Sequence, residues 1–114
     1  MPGGSPGYVN LGNDKRVLDL VNKYYHEGKI VAAICAAPNV LAKAGILAGR
    51  NATIFTGMET ELKNAKYVDK PVVEDGNIIT SQGPGTAMEF ALALLKRLTN
   101  EKKAEEIREK LIYR

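Results

Sequence analysis

One cysteine and one histidine stand in these 114 residues, and their scarcity excludes a good deal. A single thiol makes no internal disulfide, which fits a reducing cytoplasm. One thiol and one imidazole cannot supply the N and S ligands of a zinc cage, so no metal is expected. No apolar run approaches the ~20 residues that span a bilayer, and no secretory-leader pattern opens the chain, so no membrane partner is expected. An excess of one charge is also missing. Lys and Arg number 16 against 13 Asp and Glu, a net +3, and the two signs are interleaved instead of forming a stripe. Nucleic acid is therefore not an expected partner. Repeats and low-complexity linkers are absent, and the length suits one domain over residues 1–114 that buries roughly two-thirds of its unfolded surface. The apolar share of 45% and charged share of 25% are those of an ordinary soluble protein.

What is present begins with a backbone-permissive loop, Met1-Pro2-Gly3-Gly4-Ser5-Pro6-Gly7. Asn13 or Asp14 can then cap a helix with an apolar stripe of Val17, Leu18, Leu20, Val21 and Tyr24 or Tyr25, closed by Gly28. Lys29 to Cys35 reads as a strand buried on both faces, and Pro38–Ala44 as a helix ended by Gly45. Ala52–Phe55 reads as a short strand and Glu59–Asn64 as a helical turn. Val72–Thr80 carries a hairpin signal, with Asp75-Gly76 at its turn. Thr86 to about Leu98 reads as a helix with Ala87, Phe90, Ala91, Leu94, Leu95 and Leu98 on its inner side. Residues 100–111 form a terminal helix with Ala104, Ile107 and Leu111 facing inward. This order predicts an α/β fold with a mainly parallel sheet.

Within that order, Cys35 falls at a strand-to-helix corner, at the carboxyl end of a strand, where open α/β sheets bind ligands. Small neighbours leave its side chain uncrowded, and the N-terminus of the following helix favours negative charge on the sulfur, the nucleophilic form. It is the cysteine counterpart of the serine elbow of α/β-hydrolases. Free cysteine is also commonly a small buried hydrophobe, and the residues alone leave both readings open.

Taken together, Met1-Pro2-Gly3-Gly4, Ala33-Ile34-Cys35-Ala36-Ala37-Pro38, the run Val73–Thr86 with Thr80-Ser81-Gln82-Gly83-Pro84-Gly85-Thr86, and Glu89-Phe90-Ala91 resemble the DJ-1/ThiJ/PfpI superfamily. The similarity is greater to its DJ-1/YajL-like branch. The PfpI branch carries histidine directly after the cysteine, where this chain has Ala36. The resemblance implies a flavodoxin-like, class I glutamine amidotransferase-like fold. It implies that Cys35 is the nucleophilic, oxidation-prone residue, with the amides of Gly4 and Ala36 forming an oxyanion pocket beside Gly3. Family members begin with further strands and a helix before the Pro-Gly-Gly loop, and that part supplies a glutamate to the cysteine sulfur. The chain thus resembles the C-terminal portion of a member, lacking the N-terminal strands: a truncation, a fragment or half of a split protein.

Competing readings attach to four other places. His26 is either a base for Cys35 or, more plainly, a cation at a helix C-terminus. Gly3 and Gly4 either present amides to an anion or permit a turn, and the resemblance favours the first. Gly83-Pro84-Gly85 either lines a pocket or, as preferred, starts a helix that Thr86 can cap. Thr56 lies where some family members carry a pocket histidine.

Two functions follow from the resemblance. One is cofactor-independent glyoxalase III-like or deglycase-like action on 2-oxoaldehydes such as methylglyoxal, or on glycated protein. The other is a redox sensor or stress-protective chaperone whose Cys35 is oxidised to sulfinate. The expected partner is a second copy of the chain or a companion N-terminal segment, because a sheet without its first strands exposes an edge.

Overall fold

The computed structural model describes residues 1–113. The chain runs through α1 (Gly7–Gly12), α2 (Lys15–His26), β1 (Val31–Ile34), α3 (Pro38–Lys43) and β2 (Asn51–Ala52). A 3₁₀ turn at Glu59–Leu62 leads to β3 (Lys66–Tyr67), β4 (Val72–Asp75) and β5 (Ile78–Ser81). A second 3₁₀ turn, Pro84–Thr86, precedes α4 (Ala87–Leu98) and α5 (Glu101–Lys110). β5 lies at the centre of a three-stranded sheet, parallel to β1 and antiparallel to β4, while β2 and β3 form a separate parallel pair. Two of the three strand pairings are parallel, as the helix–strand order predicts.

Local chemistry explains most element ends. The Asp14 carboxylate accepts the Arg16 N–H at 2.9 Å and starts α2. The Arg16 guanidinium, with that backbone bond second, holds the Asp14 carboxyl down at about 2. At the other end of α2, Gly28 adopts φ +75 while its N–H donates to Tyr25 O and the Lys29 N–H donates to Tyr24 O. That pair of bonds closes a helix whose next residue must be left-handed. α5 is capped by Asn100, whose Oδ1 accepts the Lys103 N–H at 2.8 Å. The hairpin loop is Gly76-Asn77, one residue later than expected, because Asp75 pairs with Ile78 in the ladder. The Asn77 amide then ties the loop to Tyr25 O and Lys29 O.

The core gathers Val21, Val31, Ala33, Leu41, Leu47, Ile54, Leu62 and Ile78 between sheet and helices. All four residues of β5 are buried, as suits a central strand. β1 is not buried on both faces as expected. Val31 and Ala33 are buried, whereas Ala32 and Ile34 are only half-buried.

Other expectations need correction. The segment Gly7–Gly12, to which the residue pattern assigns no element beyond the loop ending at Gly7, is helical. The Tyr8 N–H donates to Gly4 O and the Asn10 N–H to Pro6 O, and buried Gly12 packs under the Lys43 side chain of α3. The expected strand Ala52–Phe55 pairs only through Asn51–Ala52. Beyond it, Thr53 N–H donates to Thr80 Oγ1 at 2.9 Å and Phe55 N–H to Cys35 O at 2.9 Å, so the segment crosses from one sheet to the other. Of the expected inner stripe of α4, Phe90 is buried, Leu94 and Leu95 are half-buried, Ala87 and Ala91 are exposed and Leu98 is 70% exposed, while Leu92, outside that stripe, is buried. On α5, Ala104 is buried but Leu111 is exposed.

Candidate functional site

Cys35 immediately follows β1, and its backbone continues the ladder by one bond, from Cys35 N–H to Ser81 O at 3.0 Å. Its own carbonyl accepts the Phe55 N–H at 2.9 Å. Fixed on both sides, the residue adopts φ +64, a left-handed conformation that costs a non-glycine residue on the order of 1–3 kcal/mol and clusters at functional sites. The side chain is half-buried and the thiol is free. The turn continues through Ala37 N–H to Ile34 O and enters α3 at Pro38, so strand, elbow and helix follow as the sequence predicts.

The Pro-Gly-Gly loop lies directly against this elbow. Met1 forms one rung beside β1: its α-amino group donates to Ala32 O at 2.9 Å and its carbonyl accepts the Ile34 N–H at 3.2 Å. That rung delivers Gly3 to the elbow. A Cβ at Gly3 would lie 2.8 Å from Cys35 Cβ, 2.9 Å from Ala36 N and 3.0 Å from Ile34 O, so only glycine fits. Gly4 follows at φ +89 with open space around it. Among the described residues, the Gly3, Gly4 and Ala36 N–H groups donate to no protein acceptor, although Ala36 is only 6% exposed. Ala36 is the buried one of the three, Gly3 is half-buried against the elbow and Gly4 is exposed on the loop beside it, and a buried free amide seeks an acceptor.

Two further segments for which the sequence offered a pocket reading come together next to the elbow, the Phe55 turn through its N–H bond to Cys35 O and the Gly83-Pro84-Gly85 run beside it. Phe55 is 44% exposed and stands beside Gly83, with Thr56 exposed next to it. Thr86 does not cap α4 with its side chain. Its Oγ1 accepts the Gly83 N–H at 3.0 Å and lies 2.7 Å from Ser81 Oγ, while the Ser81 hydroxyl donates to Pro71 O at 2.7 Å. These bonds brace the end of β5 that receives the Cys35 N–H. The only signal in the sequence was two hydroxyl residues flanking Gly-Pro-Gly.

His26 lies elsewhere. It ends α2, stacks edge-on against Tyr25 at 5.1 Å and is exposed near the amino end of β1, whereas Cys35 is at the carboxyl end. Of the acids near the Phe55 turn, Glu59 accepts the Gly57 N–H at 2.9 Å, and backbone N–H bonds hold its carboxyl below the usual range. No cluster of three or more His, Cys, Asp or Glu suited to a metal occurs among the described residues. No helix among them is long and apolar enough to cross a membrane.

The DJ-1/PfpI family model matches residues 1–97, a span holding both the Pro-Gly-Gly loop and the cysteine elbow. This chain belongs to the DJ-1/PfpI family. It is 45% identical over 114 residues to dj-1beta of Drosophila melanogaster, a match covering 98% of this chain and 61% of that protein. The crystal structure of Drosophila DJ-1beta superposes with a TM-score of 0.93, covering 96% of this chain and 60% of the other. An oxidized Toxoplasma gondii DJ-1 structure superposes at 0.90 with 32% identity, covering 97% and 61%. Deglycase PfpI of Pyrococcus furiosus is 39% identical over 101 residues, covering 86% of this chain and 60% of that protein. The fold is therefore the flavodoxin-like, class I glutamine amidotransferase-like one expected for the DJ-1/PfpI family. The chain spans about three-fifths of the length of these relatives.

Proposed function

We propose that Cys35 is the nucleophile of a cofactor-independent glyoxalase III-like or deglycase-like reaction on 2-oxoaldehydes, with methylglyoxal as the simplest substrate. The observation that carries this is the left-handed Cys35 elbow with Gly3 packed against it and the N–H groups of Gly3, Gly4 and Ala36 unpaired among the described residues. A strained residue that the fold holds in place at a corner is a signature of function rather than of packing. The name of the Pyrococcus relative, a deglycase, supports the same reading.

In this reading the sulfur adds to the aldehyde carbon, and the carbonyl electron pair becomes an alkoxide held by the Gly4 and Ala36 amides, with Gly3 keeping the loop close. The alkoxide takes up the proton that the thiol gave, forming a hemithioacetal. The hydrogen on that carbon then leaves as a proton, passing through an enediol, and returns on the neighbouring carbon to give a lactate thioester. Water cleaves the C–S bond and frees lactate and thiol. Methylglyoxal plus water becomes lactate, so no outside oxidant is consumed. A hemithioacetal or glycated amine on protein presents the same carbon, which makes glycated protein a second substrate class. A reducing cytoplasm keeps the thiol available.

A second reading is supported by the oxidized Toxoplasma relative. Two equivalents of peroxide would convert the Cys35 thiolate to sulfinate, and the same amides would hold its oxygens, making the residue a stress sensor or the switch of a protective chaperone. Incubation with methylglyoxal and assay of lactate separates the two. Enzymatic action predicts lactate above the uncatalysed background with the native chain and none above it with Cys35→Ala. Equal lactate from both proteins would overturn the assignment of Cys35, and no lactate with ready sulfinate formation would favour the sensor.

A further inference from the structure

Phe55 is joined to the elbow by its backbone and to the neighbouring strand end by its ring. Its N–H donates to Cys35 O at 2.9 Å, and a Cβ at Gly83 would stand 3.4 Å and 3.6 Å from two ring carbons, Cδ2 and Cε2. Cys35 in turn donates its N–H to Ser81 O, two residues before Gly83. The ring therefore spans the carboxyl ends of β1 and β5, where Cys35 stands. Both supports are held. The turn Phe55–Met58 is closed by the Met58 N–H to Phe55 O at 3.0 Å and braced by Glu59, whose carboxylate accepts the Gly57 N–H at 2.9 Å. Gly83 is fixed through its N–H to Thr86 Oγ1 at 3.0 Å. Of the two phenylalanines in the chain, Phe90 is buried, whereas Phe55 is 44% exposed. An aromatic ring seated on two braced segments, with part of its surface open beside a reactive group, is a preorganised apolar wall that a ligand covers at little cost in ordering.

We infer that the Phe55 ring selects the substituent of the 2-oxoaldehyde, so that the site takes a ketoaldehyde with a flat aryl group on its keto carbon in preference to one with a methyl group. This rests on the reading of Cys35 as the nucleophile toward 2-oxoaldehydes. When the sulfur bonds the aldehyde carbon, the carbonyl electron pair takes up the thiol proton, and nothing is oxidised or reduced. The keto carbon is then one bond from the carbon held by sulfur, and its substituent must lie along a segment that flanks Cys35. The Gly3-Gly4 loop offers that substituent backbone alone. The Phe55 ring offers an apolar face on which a phenyl group stacks and which a methyl group barely covers.

The test uses the 114-residue chain and measures the concentrations of phenylglyoxal and of methylglyoxal that half-protect Cys35 against alkylation. Each is divided by the hemithioacetal constant of the same aldehyde with a small free thiol, which removes their difference in intrinsic reactivity. Only protection that dilution reverses is counted, which sets aside lasting modification of arginine. On this scale phenylglyoxal should bind about tenfold more tightly than methylglyoxal. Phe55→Ala should abolish that advantage and leave methylglyoxal within about twofold of its native value. Phe55→Leu keeps apolar bulk against Gly83 without the flat face, and should lose most of the advantage as well. Equal binding of the two aldehydes by the native chain would overturn the role of the ring while leaving Cys35 as the nucleophile. So would a preference for phenylglyoxal undiminished in both variants, or an equal loss for both aldehydes in both. No reversible protection by either aldehyde would overturn the reading of Cys35 itself, and the inference with it.

Discussion

Alone, the 114-residue chain is expected to convert methylglyoxal to lactate about 10²–10⁴ times more slowly than the same chain reassembled with an N-terminal family segment. The proton must leave one carbon of the hemithioacetal and return to the next, and a positioned carboxylate typically contributes that factor. Family resemblance places this carboxylate on the segment that precedes the Pro-Gly-Gly loop. Within the chain, Glu59 is committed to the Gly57 N–H and Glu74 pairs with Arg97 at 3.1 Å. Adduct formation should survive nevertheless, because the elbow and its amides are local to Gly3, Gly4 and Cys35–Ala37. Methylglyoxal should therefore protect Cys35 reversibly against alkylation even where lactate accumulates slowly. Turnover by the isolated chain at the rate of the reassembled one would show that an acid within these residues moves the proton.

Gly3→Ala is expected to have the second large effect, and Gly4→Ala a smaller one. The added methyl at Gly3 meets Cys35 Cβ, Ala36 N and Ile34 O at 2.8–3.0 Å. None of these is the end of a flexible side chain, so the loop must lift off the elbow. Lifting it separates the Gly4 amide from the sulfur's surroundings, and loss of one oxyanion donor costs about 10²–10³ in rate. At Gly4 the methyl meets nothing within 4 Å and only the φ of +89 is strained. Lactate formation by the reassembled protein reads the chemistry, and hydrogen exchange of the Ile34 amide, bonded to Met1 O, reads the loop. Unchanged rate and unchanged Ile34 protection in Gly3→Ala would mean that the loop takes no part in the site.

How much of this was legible in the residues depends on how local each signal is. Asp14, Gly28 and Asn100 mark helix ends through bonds to their own neighbours, and Asp75-Gly76 marks the hairpin to within one residue. The Cys35 corner was legible as strand, small residues and proline. Its left-handed φ was not, because a non-glycine residue there is held by Ser81 O and Phe55 N–H, which are distant in sequence. Helix α1 has glycine at both ends and no side-chain cap, and it packs against α3, so its own residues could not announce it. β3 is two residues long and has no period to read. The stripes of α2 and α4 show an amphipathic pattern, but a pattern does not say whether the covering surface lies in the same chain. That is why Leu20 and Leu98 read as core and are exposed.

The central claim, that the elbow makes Cys35 the most reactive group of the chain, is tested most directly by peptide mass mapping after mild peroxide treatment. Met88 is 38% exposed and Met58 half-buried, so accessibility alone offers peroxide other sulfurs. The expected result is two added oxygens at Cys35, a sulfinate, before any methionine changes. Oxidation of Met58 or Met88 ahead of Cys35 would contradict it.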